Sequence, residues 1–233
     1  MKYLVIGMLI SALLGCSSKD LDELKALGYA PLTRAEVTQA LKDALSRGVA
    51  RGVAVASASD GYFANPQLKI ELPEDAMKME TTLRKLGFGA EVDKAVLQIN
   101  RAAEEAAARA RPIFIKAITD MTIYGAFDIL NGEQDAATRY LQSSTYDQLY
   151  EAFRPVISET LEETAATRYY GDIVSQYNAL PFTFDVDPDL AGYVTERAID
   201  GLFVLIAEEE ARIRSNPAAR TTRLLQRVFG SLD

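Results

Sequence analysis

Apolar residues recur every three or four positions along most of this chain, which is the spacing of one face of an α-helix. Capping residues, glycines and prolines divide the pattern into separate helices. The first begins at the capping box Thr33 to Glu36 and is expected to run to about Ser57. A helix that starts near Asp187-Pro188 is apolar nearly all round, so we expect it to be central. The other expected helices cover residues 73–86, 90–109, 113–118, 121–130, 134–142, 144–178 (with a kink or a break at Pro155) and 217–229.

Small residues form a stripe on the first predicted helix, where Ala44, Gly48, Gly52 and Ala56 recur every fourth position. A glycine inside a helix costs about 1 kcal/mol relative to alanine, so this pair indicates that another backbone or a ligand comes close. We favour a second helix, with the small-residue seam of helix 90–109 as the expected partner. The alternative is a surface against which a ligand lies.

Two short stretches alternate apolar and polar residues, as strands with one buried face do. They are residues 68–72, Leu-Lys-Ile-Glu-Leu, and residues 182–186, Phe-Thr-Phe-Asp-Val. We expect at most one small two-stranded β ribbon from them, because an isolated pair of strands is marginal without packing. The sequence therefore predicts a mainly α protein, an irregular multi-helix bundle.

The start of the chain has the pattern of a bacterial lipoprotein signal peptide over residues 1–15. Lys2 precedes an apolar stretch that is too short to span a bilayer, which needs about 20 apolar residues. The ending Leu13-Leu14-Gly15-Cys16 resembles the lipobox, in which the cysteine becomes the lipid-modified N-terminus. The alternative is an ordinary signal peptide with a chance cysteine, but the chain's only cysteine falls at the lipobox position.

These features predict lipidation at Cys16, a lipidated tether over residues 16–32 and a single helical domain over residues 33–233. Attached acyl chains provide a membrane anchor, since each buried methylene contributes about 0.8 kcal/mol. Ser17, next to the lipidated cysteine, favours the outer membrane by resemblance to known sorting signals. We therefore expect a protein of the cell envelope that faces the periplasm and meets the membrane through its lipid anchor.

Charge and missing residue types narrow the possible functions. The net charge is −8, and Lys2 is the only charged residue before Cys16, so the rest of the chain is more acidic still. An acidic surface disfavours nucleic acid as a partner, because phosphate binding needs clustered Lys and Arg. The absence of histidine removes the commonest general base and metal ligand. A metal could bind only through oxygen ligands, and the sequence predicts neither a metal nor a cofactor.

One polar cluster lies on the predicted helix 90–109 and consists of Asn100, Arg101, Glu104 and Glu105. Asn100 and Glu104 are one turn apart, as are Arg101 and Glu105, so the cluster is a candidate for holding a cation or a polar ligand. The alternative, which we favour, is a solvated helix face with pairs one turn apart, because such pairs are routine.

Asp185, Asp187 and Asp189 alternate as the acidic residues of a calcium loop do, but the required glycine and distal glutamate are missing. Capping of the central helix by Asp187 explains this stretch better. An aromatic stripe from Tyr146 to Phe153 is interpreted as core, because that spacing is typical of any buried helix face.

A basic stripe, Arg220, Arg223 and Arg227, is expected on one face of the last helix. On an acidic protein this stripe is a candidate contact for an anion or for a protein partner. The alternative, which we favour, is ion pairing with the acidic run Glu208 to Glu210 across a short turn, where each exposed pair contributes at most about 1 kcal/mol.

Several stretches resemble a bacterial family known as domain-of-unknown-function family number 4197, over roughly residues 41–230. The resemblance implies a helical envelope protein, often with a signal or lipoprotein start, and it implies no activity. The stretches are Asn100 to Glu104, Met121 to Ile123, Asp135 to Tyr140, Leu149-Tyr150 with Phe153 to Pro155, Tyr193 to Thr195, Gly201 to Phe203, Ile206 to Glu210 and Asn216 to Thr222.

Three functions remain open from the sequence. The first is a non-enzymatic envelope lipoprotein that binds a partner protein or supports assembly. The second is a helical protein that binds an amphiphile or lipid in a closed apolar cavity. The third, and least favoured, is an enzyme that uses carboxylates and a metal, which convergent carboxylates with perturbed pKa values in a cleft would support.

Overall fold

The computed structural model describes residues 31–163 and 189–233, except 86, 88, 121 and 123, and in the stretch between them only residues 167, 170, 171, 174 and 175. The helices of this part belong to the compact unit Arg34–Asp233. They are α1 (Arg34–Ala56), α2 (Met77–Lys85), α3 (Gly89–Ala107), α4 (Ala110–Asp120), α5 (Ala126–Leu130), α6 (Ala136–Glu163), α7 (Leu190–Ser215) and α8 (Arg223–Phe229). Short 3-10 turns precede α2 and flank α8.

Helix α7 is the centre of the bundle, as its apolar sequence predicts. Helices α1 and α6 lie along it, and α3 packs against both α6 and α7. Phe203 of α7 meets Phe114 of α4 edge to face, with ring centroids 5.5 Å apart. The described residues contain no strand, which confirms the predicted mainly α fold. None of the described helices is both long and apolar enough to cross a membrane.

The glycine stripe of α1 is a helix contact, but its partner is α7 rather than the predicted helix 90–109. Gly48 and Gly52 are buried against α7. A Cβ atom added at Gly48 would lie 3.1 Å from Ile206 Cγ2 and 3.2 Å from the Ile206 carbonyl oxygen. One added at Gly52 would lie 3.3 Å from Leu205 Cβ. The missing side chains therefore let the two backbones approach.

Helix α6 runs unbroken from Ala136 to Glu163, so the predicted separate helices 134–142 and 144–178 are wrong at their junction. Ser144 does not cap a new helix: its hydroxyl donates to the carbonyl of Leu141, within the same helix, at 2.9 Å. Pro155 lies inside α6 without dividing it. Leu149 and Phe153 are fully buried, which agrees with the core interpretation of the aromatic stripe.

Leu68 lies in a turn, and residues 69–72 follow it as an extended stretch that forms no strand, so the predicted ribbon is absent on that side. Residues 182–186 lie outside the described part. Leu68, Ile70 and Leu72 are buried and the residues between them are exposed, as the alternation predicts. The side-chain amide of Asn100 occupies the place of a neighbouring strand, because it hydrogen-bonds both the N–H and the C=O of Ile70.

The remaining differences concern helix ends. Helix α3 ends at Ala107, ahead of Pro112, which lies in the first turn of α4, where its missing N–H costs nothing. Helix α5 covers only the last part of the predicted helix 121–130. Asp189, not Asp187, caps α7, since its carboxylate accepts from the N–H of Gly192 at 2.8 Å.

Candidate functional site

The polar cluster on α3 connects this helix to the loop that follows α1. The expectation of a solvated face is wrong for two of its four residues. Asn100 and Glu104 are buried. The Asn100 amide accepts from Ile70 N–H at 2.9 Å and donates to Ile70 O at 2.8 Å. Glu104 Oε1 accepts from the N–H groups of Tyr62 and Phe63 at 3.1 and 3.2 Å. Both side chains therefore fix the loop that follows α1.

The charged members of this cluster also hold the loop. Arg101 joins Glu104 Oε2 to Asp60 Oδ1 at 2.6 Å each, and Asp60 has a φ of +66°. This left-handed conformation is unfavourable for a residue other than glycine, and the ion pair with Arg101 helps to hold it. Glu105 accepts from the hydroxyl of Thr160 on α6. Because these groups satisfy one another, the cluster does not need a cation or polar ligand.

The basic stripe does not exist as a single surface, because Arg220 lies before α8 rather than on it. Arg220 is buried, and its guanidinium donates to the carbonyls of Ile213 and Arg214 and to the Asp233 carboxylate. Arg220 therefore caps the C-terminal end of α7 and holds Asp233 in place. An anion cannot reach it without displacing these contacts.

The predicted pairing of the acidic run Glu208 to Glu210 with the basic stripe is also wrong. Arg227 lies 3.4 Å from Glu36 of α1, and Arg223 is exposed. Within the acidic run, Glu209 pairs with Arg212 and Arg51, Glu210 pairs with Arg214, and Glu208 is exposed.

Asp189 is the described member of the alternating aspartates, and it works as a helix cap. Burial alone favours its neutral form, but the hydrogen bond from Gly192 N–H and the Arg154 guanidinium, 2.9 Å away, together lower the pKa of Asp189. Asp185, Asp187 and the predicted lipidation site Cys16 lie outside the described residues. Within the described part, no three Asp, Glu, His or Cys side chains are placed to hold a metal ion.

An open groove of about 1060 Å³ lies between residues 67–74, of which 69–72 are the extended segment, and one side of α7. Helix α2 contributes Met77, Glu80 and Arg84, and α6 contributes Tyr150. The side of α7 that faces the groove carries Asp189, Gly192, Tyr193, Glu196, Arg197, Asp200, Gly201 and Val204. The groove therefore has one wall of extended backbone and one wall of helix, with aromatic, acidic and basic side chains along it.

The groove's floor depends on Gly201 and on the buried side chain of Tyr62 beneath it. The Tyr62 hydroxyl donates to the Ala198 carbonyl at 2.5 Å. A Cβ atom at Gly201 would lie only 2.8 Å from Tyr62 Cε1, so this position has no room for a side chain. Burial, and after it the nearby Glu104 and Asp200 carboxylates, raises the pKa of Tyr62, which keeps the phenol neutral.

Acidic groups of the groove fall into a paired and an unpaired set. Glu71 pairs with Lys69, Glu80 with Arg84, and Asp189 with Arg154. Glu74, Glu196 and Asp200 have no ion pair or side-chain hydrogen bond within the described part of the chain. The groove therefore carries excess negative charge.

Among the three unpaired acids, Asp200 lies in surroundings that shift its pKa. It is half-buried, and burial raises its pKa, although Arg197 opposes the shift. Glu196 lies one turn before it on the same helix, and like charges at this spacing destabilise a helix by about 0.2–0.5 kcal/mol. Burial, followed by Asp200 and Glu196, also raises the pKa of the Tyr146 phenol on α6. Arg197 leans over the ring of Tyr193, 5.5 Å from its centroid.

Sequence reasoning missed this groove, because its walls come from segments more than a hundred residues apart. One local signal was available: the first half of α7 carries two carboxylates one turn apart, Glu196 and Asp200, beside Tyr193. On a central helix, two like charges one turn apart indicate either a structural partner that neutralises them or a functional surface.

The structure defines a mainly α bundle around one central helix, with buried polar joints and an open charged groove. Residues 31–230 match the model of a protein family described as "Protein of unknown function (DUF4197)", and the chain belongs to that family. No curated protein matches this chain, and no solved structure does.

Proposed function

We propose that this protein is a lipid-anchored protein of the bacterial cell envelope that binds a partner through the groove beside α7. The observation that carries the binding function is the groove's set of acidic groups without an ion pair, Glu74, Glu196 and Asp200. The side chains of the other polar clusters in the described chain already make structural hydrogen bonds and ion pairs. The anchor rests on the lipobox-like ending at Cys16. The proposed location is the outer membrane, facing the periplasm.

The shape and lining of the groove favour partner binding over the two alternatives. A site for an amphiphile needs a mostly apolar cavity that encloses its ligand, whereas this groove is open and lined by charged side chains. Catalysis by carboxylates needs groups whose pKa values are pushed apart and whose positions suit one reaction. In this groove the raised pKa of Asp200 has a simpler source in burial, which outweighs the opposing charge of Arg197.

Anchoring is expected to depend on one sulfur atom. The substitution Cys16→Ser should abolish labelling by radioactive palmitate and move the protein out of the membrane pellet, because Cys16 carries the chain's only thiol, to which the anchor is attached. Ser17→Ala is the matched control and should leave labelling unchanged. Persistent labelling of Cys16→Ser would contradict the anchor.

Partner contact is expected at the groove and not elsewhere on the same helix. A photo-cross-linking amino acid placed at Glu196 should yield a discrete cross-linked species in intact cells. The same amino acid at Glu208, exposed about three turns further along α7 and outside the groove, should not. Equal cross-linking at both positions, or none at Glu196, would contradict the binding function of the groove.

A further inference from the structure

Resting on the binding function above, we propose that the groove holds an extended basic segment of a partner protein. The segment pairs with the free backbone edge at Glu71 and places a lysine or arginine side chain at Glu196 and Asp200. One groove wall thus supplies backbone hydrogen bonds and the other supplies charge.

The first support is an extended backbone with one unused edge. In an extended segment, the backbone groups of successive residues point to opposite edges. The N–H and C=O of Ile70 are both taken by Asn100. The N–H and C=O of Glu71 and the C=O of Lys69 have no hydrogen-bond partner among the described residues. Such an edge is what a peptide uses when it adds a strand to a protein.

The edge is held rigidly in its extended form. Leu68, Ile70 and Leu72 anchor it in the core, and Asn100 fixes its inner side. A preformed edge reduces the ordering cost that an incoming segment must overcome. Main-chain pairing of this kind gives affinity with little sequence preference, so selection has to come from side chains.

Charge complementarity supplies that selection. Glu196 and Asp200 on α7 and Glu74 next to the extended segment form no close ion pair in the described chain, although the charge of Arg197 acts on Asp200. A lysine or arginine between Glu196 and Asp200 would offset both the repulsion along the helix and the desolvation of Asp200. Tyr193 and Tyr150 add aromatic surface to the groove, although one face of each ring already holds an arginine of the chain, Arg197 and Arg154.

The size of the groove also suits a chain segment. Pockets for small molecules usually have volumes of about 300–1,000 Å³, and this groove, at about 1060 Å³, lies at the upper end of that range and is open to solvent. A segment that lies along the groove can contact both the extended wall and α7. A single metal ion or an isolated ammonium group is too small to contact both.

The proposal is tested by fluorescence anisotropy with the full chain purified in non-ionic detergent. The probe is a short labelled peptide of alternating lysine and valine. Two matched peptides replace lysine by glutamate, or carry N-methyl groups at alternate amides so that one edge cannot form hydrogen bonds. We expect saturable binding of the lysine peptide and at least about tenfold weaker binding of both matched peptides.

Charge-neutralising variants then locate the site. The double variant Glu196→Gln and Asp200→Asn should weaken binding of the lysine peptide about tenfold and preserve the helical circular dichroism spectrum. Glu208→Gln, on the same helix but outside the groove, is the control and should bind like the wild type. Equal weakening by Glu208→Gln would overturn the proposal, because the attraction would then be unspecific.

Three further results would overturn it in whole or in part. If the lysine peptide fails to bind while cross-linking from Glu196 still captures a partner, the binding function stands and the basic-segment proposal falls. If the peptide binds only after Phe182→Ser and Phe184→Ser are introduced, the chain's own residues compete for the groove, and the occupant is not a partner. Equal binding of the N-methylated peptide would remove the role of Glu71.

Discussion

Replacing Gly48 by leucine is expected to lower the free energy of unfolding by about 1–3 kcal/mol, because overpacking a close backbone contact outweighs the gain of about 1 kcal/mol in helix propensity. Even a Cβ atom at this position would press on both the side chain and the carbonyl of Ile206, at 3.1 and 3.2 Å. The carbonyl belongs to the backbone of α7 and cannot turn aside. The larger leucine side chain can fit only if the two helices move apart.

The measurement is urea unfolding followed by far-UV circular dichroism. Ala50→Leu, on the exposed side of α1, is the matched control and should change stability by less than about 0.5 kcal/mol. Gly52→Leu should fall between these two, because its neighbours are chiefly the side chains of Leu205 and Ile206. If Gly48→Leu unfolds at the same urea concentration as the wild type, the close packing of α1 on α7 is wrong.

The glycine stripe shows what a sequence pattern can predict and what it cannot. Spacing by four residues predicts that something lies close to one face of α1, because glycine is unfavourable in a helix unless space is needed. It does not identify the neighbour. The small residues of α3 were the predicted partner, but the structure pairs Gly48 with the bulky Ile206, since a large side chain fills the space that glycine leaves.

Polar residues were harder to interpret, because the same local spacing suits both a solvated face and a buried joint. Asn100 and Glu104 look like an ordinary pair one turn apart on a helix. Their partners lie 30 to 42 residues away along the chain, in a loop whose path no local pattern specifies. Serine signals have a similar ambiguity: Ser144 can cap a new helix or donate back within the same one.

The groove could not be predicted from the sequence for a related reason. Its extended wall was correctly seen as alternating, but the sequence suggested a second strand as its partner, whereas the inner edge is closed by Asn100 and the outer edge is left open. A site made by the juxtaposition of residues 67–74 with α7 requires the tertiary structure. The N-terminal prediction of lipidation at Cys16, by contrast, needs only the sequence and remains to be tested.

Glu210 and Arg214 form the buried joint between three helices. The Glu210 carboxylate accepts from the N–H groups of Ala137 and Thr138, at 3.0 and 2.7 Å, and so caps the N-terminus of α6, where a negative charge is favourable. Arg214 pairs with Glu210 and donates to the carbonyls of Ile129 and Leu130 at the C-terminal end of α5. Both side chains are buried, so water cannot replace a lost partner.

Glu210→Ala is therefore expected to destabilise the domain by about 3–5 kcal/mol, because it leaves the Arg214 charge and the first N–H groups of α6 buried without their acceptor. Glu208→Ala, two residues away and exposed, is the control and should change the free energy of unfolding by less than about 0.5 kcal/mol. The double variant Glu210→Leu with Arg214→Met should be more stable than the sum of the two single variants predicts, because removing both charges leaves neither one unpaired. Measured in the same urea series, additive effects would show that the two side chains do not act as one joint. A Glu210→Ala protein as stable as the wild type would contradict the role of this carboxylate in holding α6 to α7.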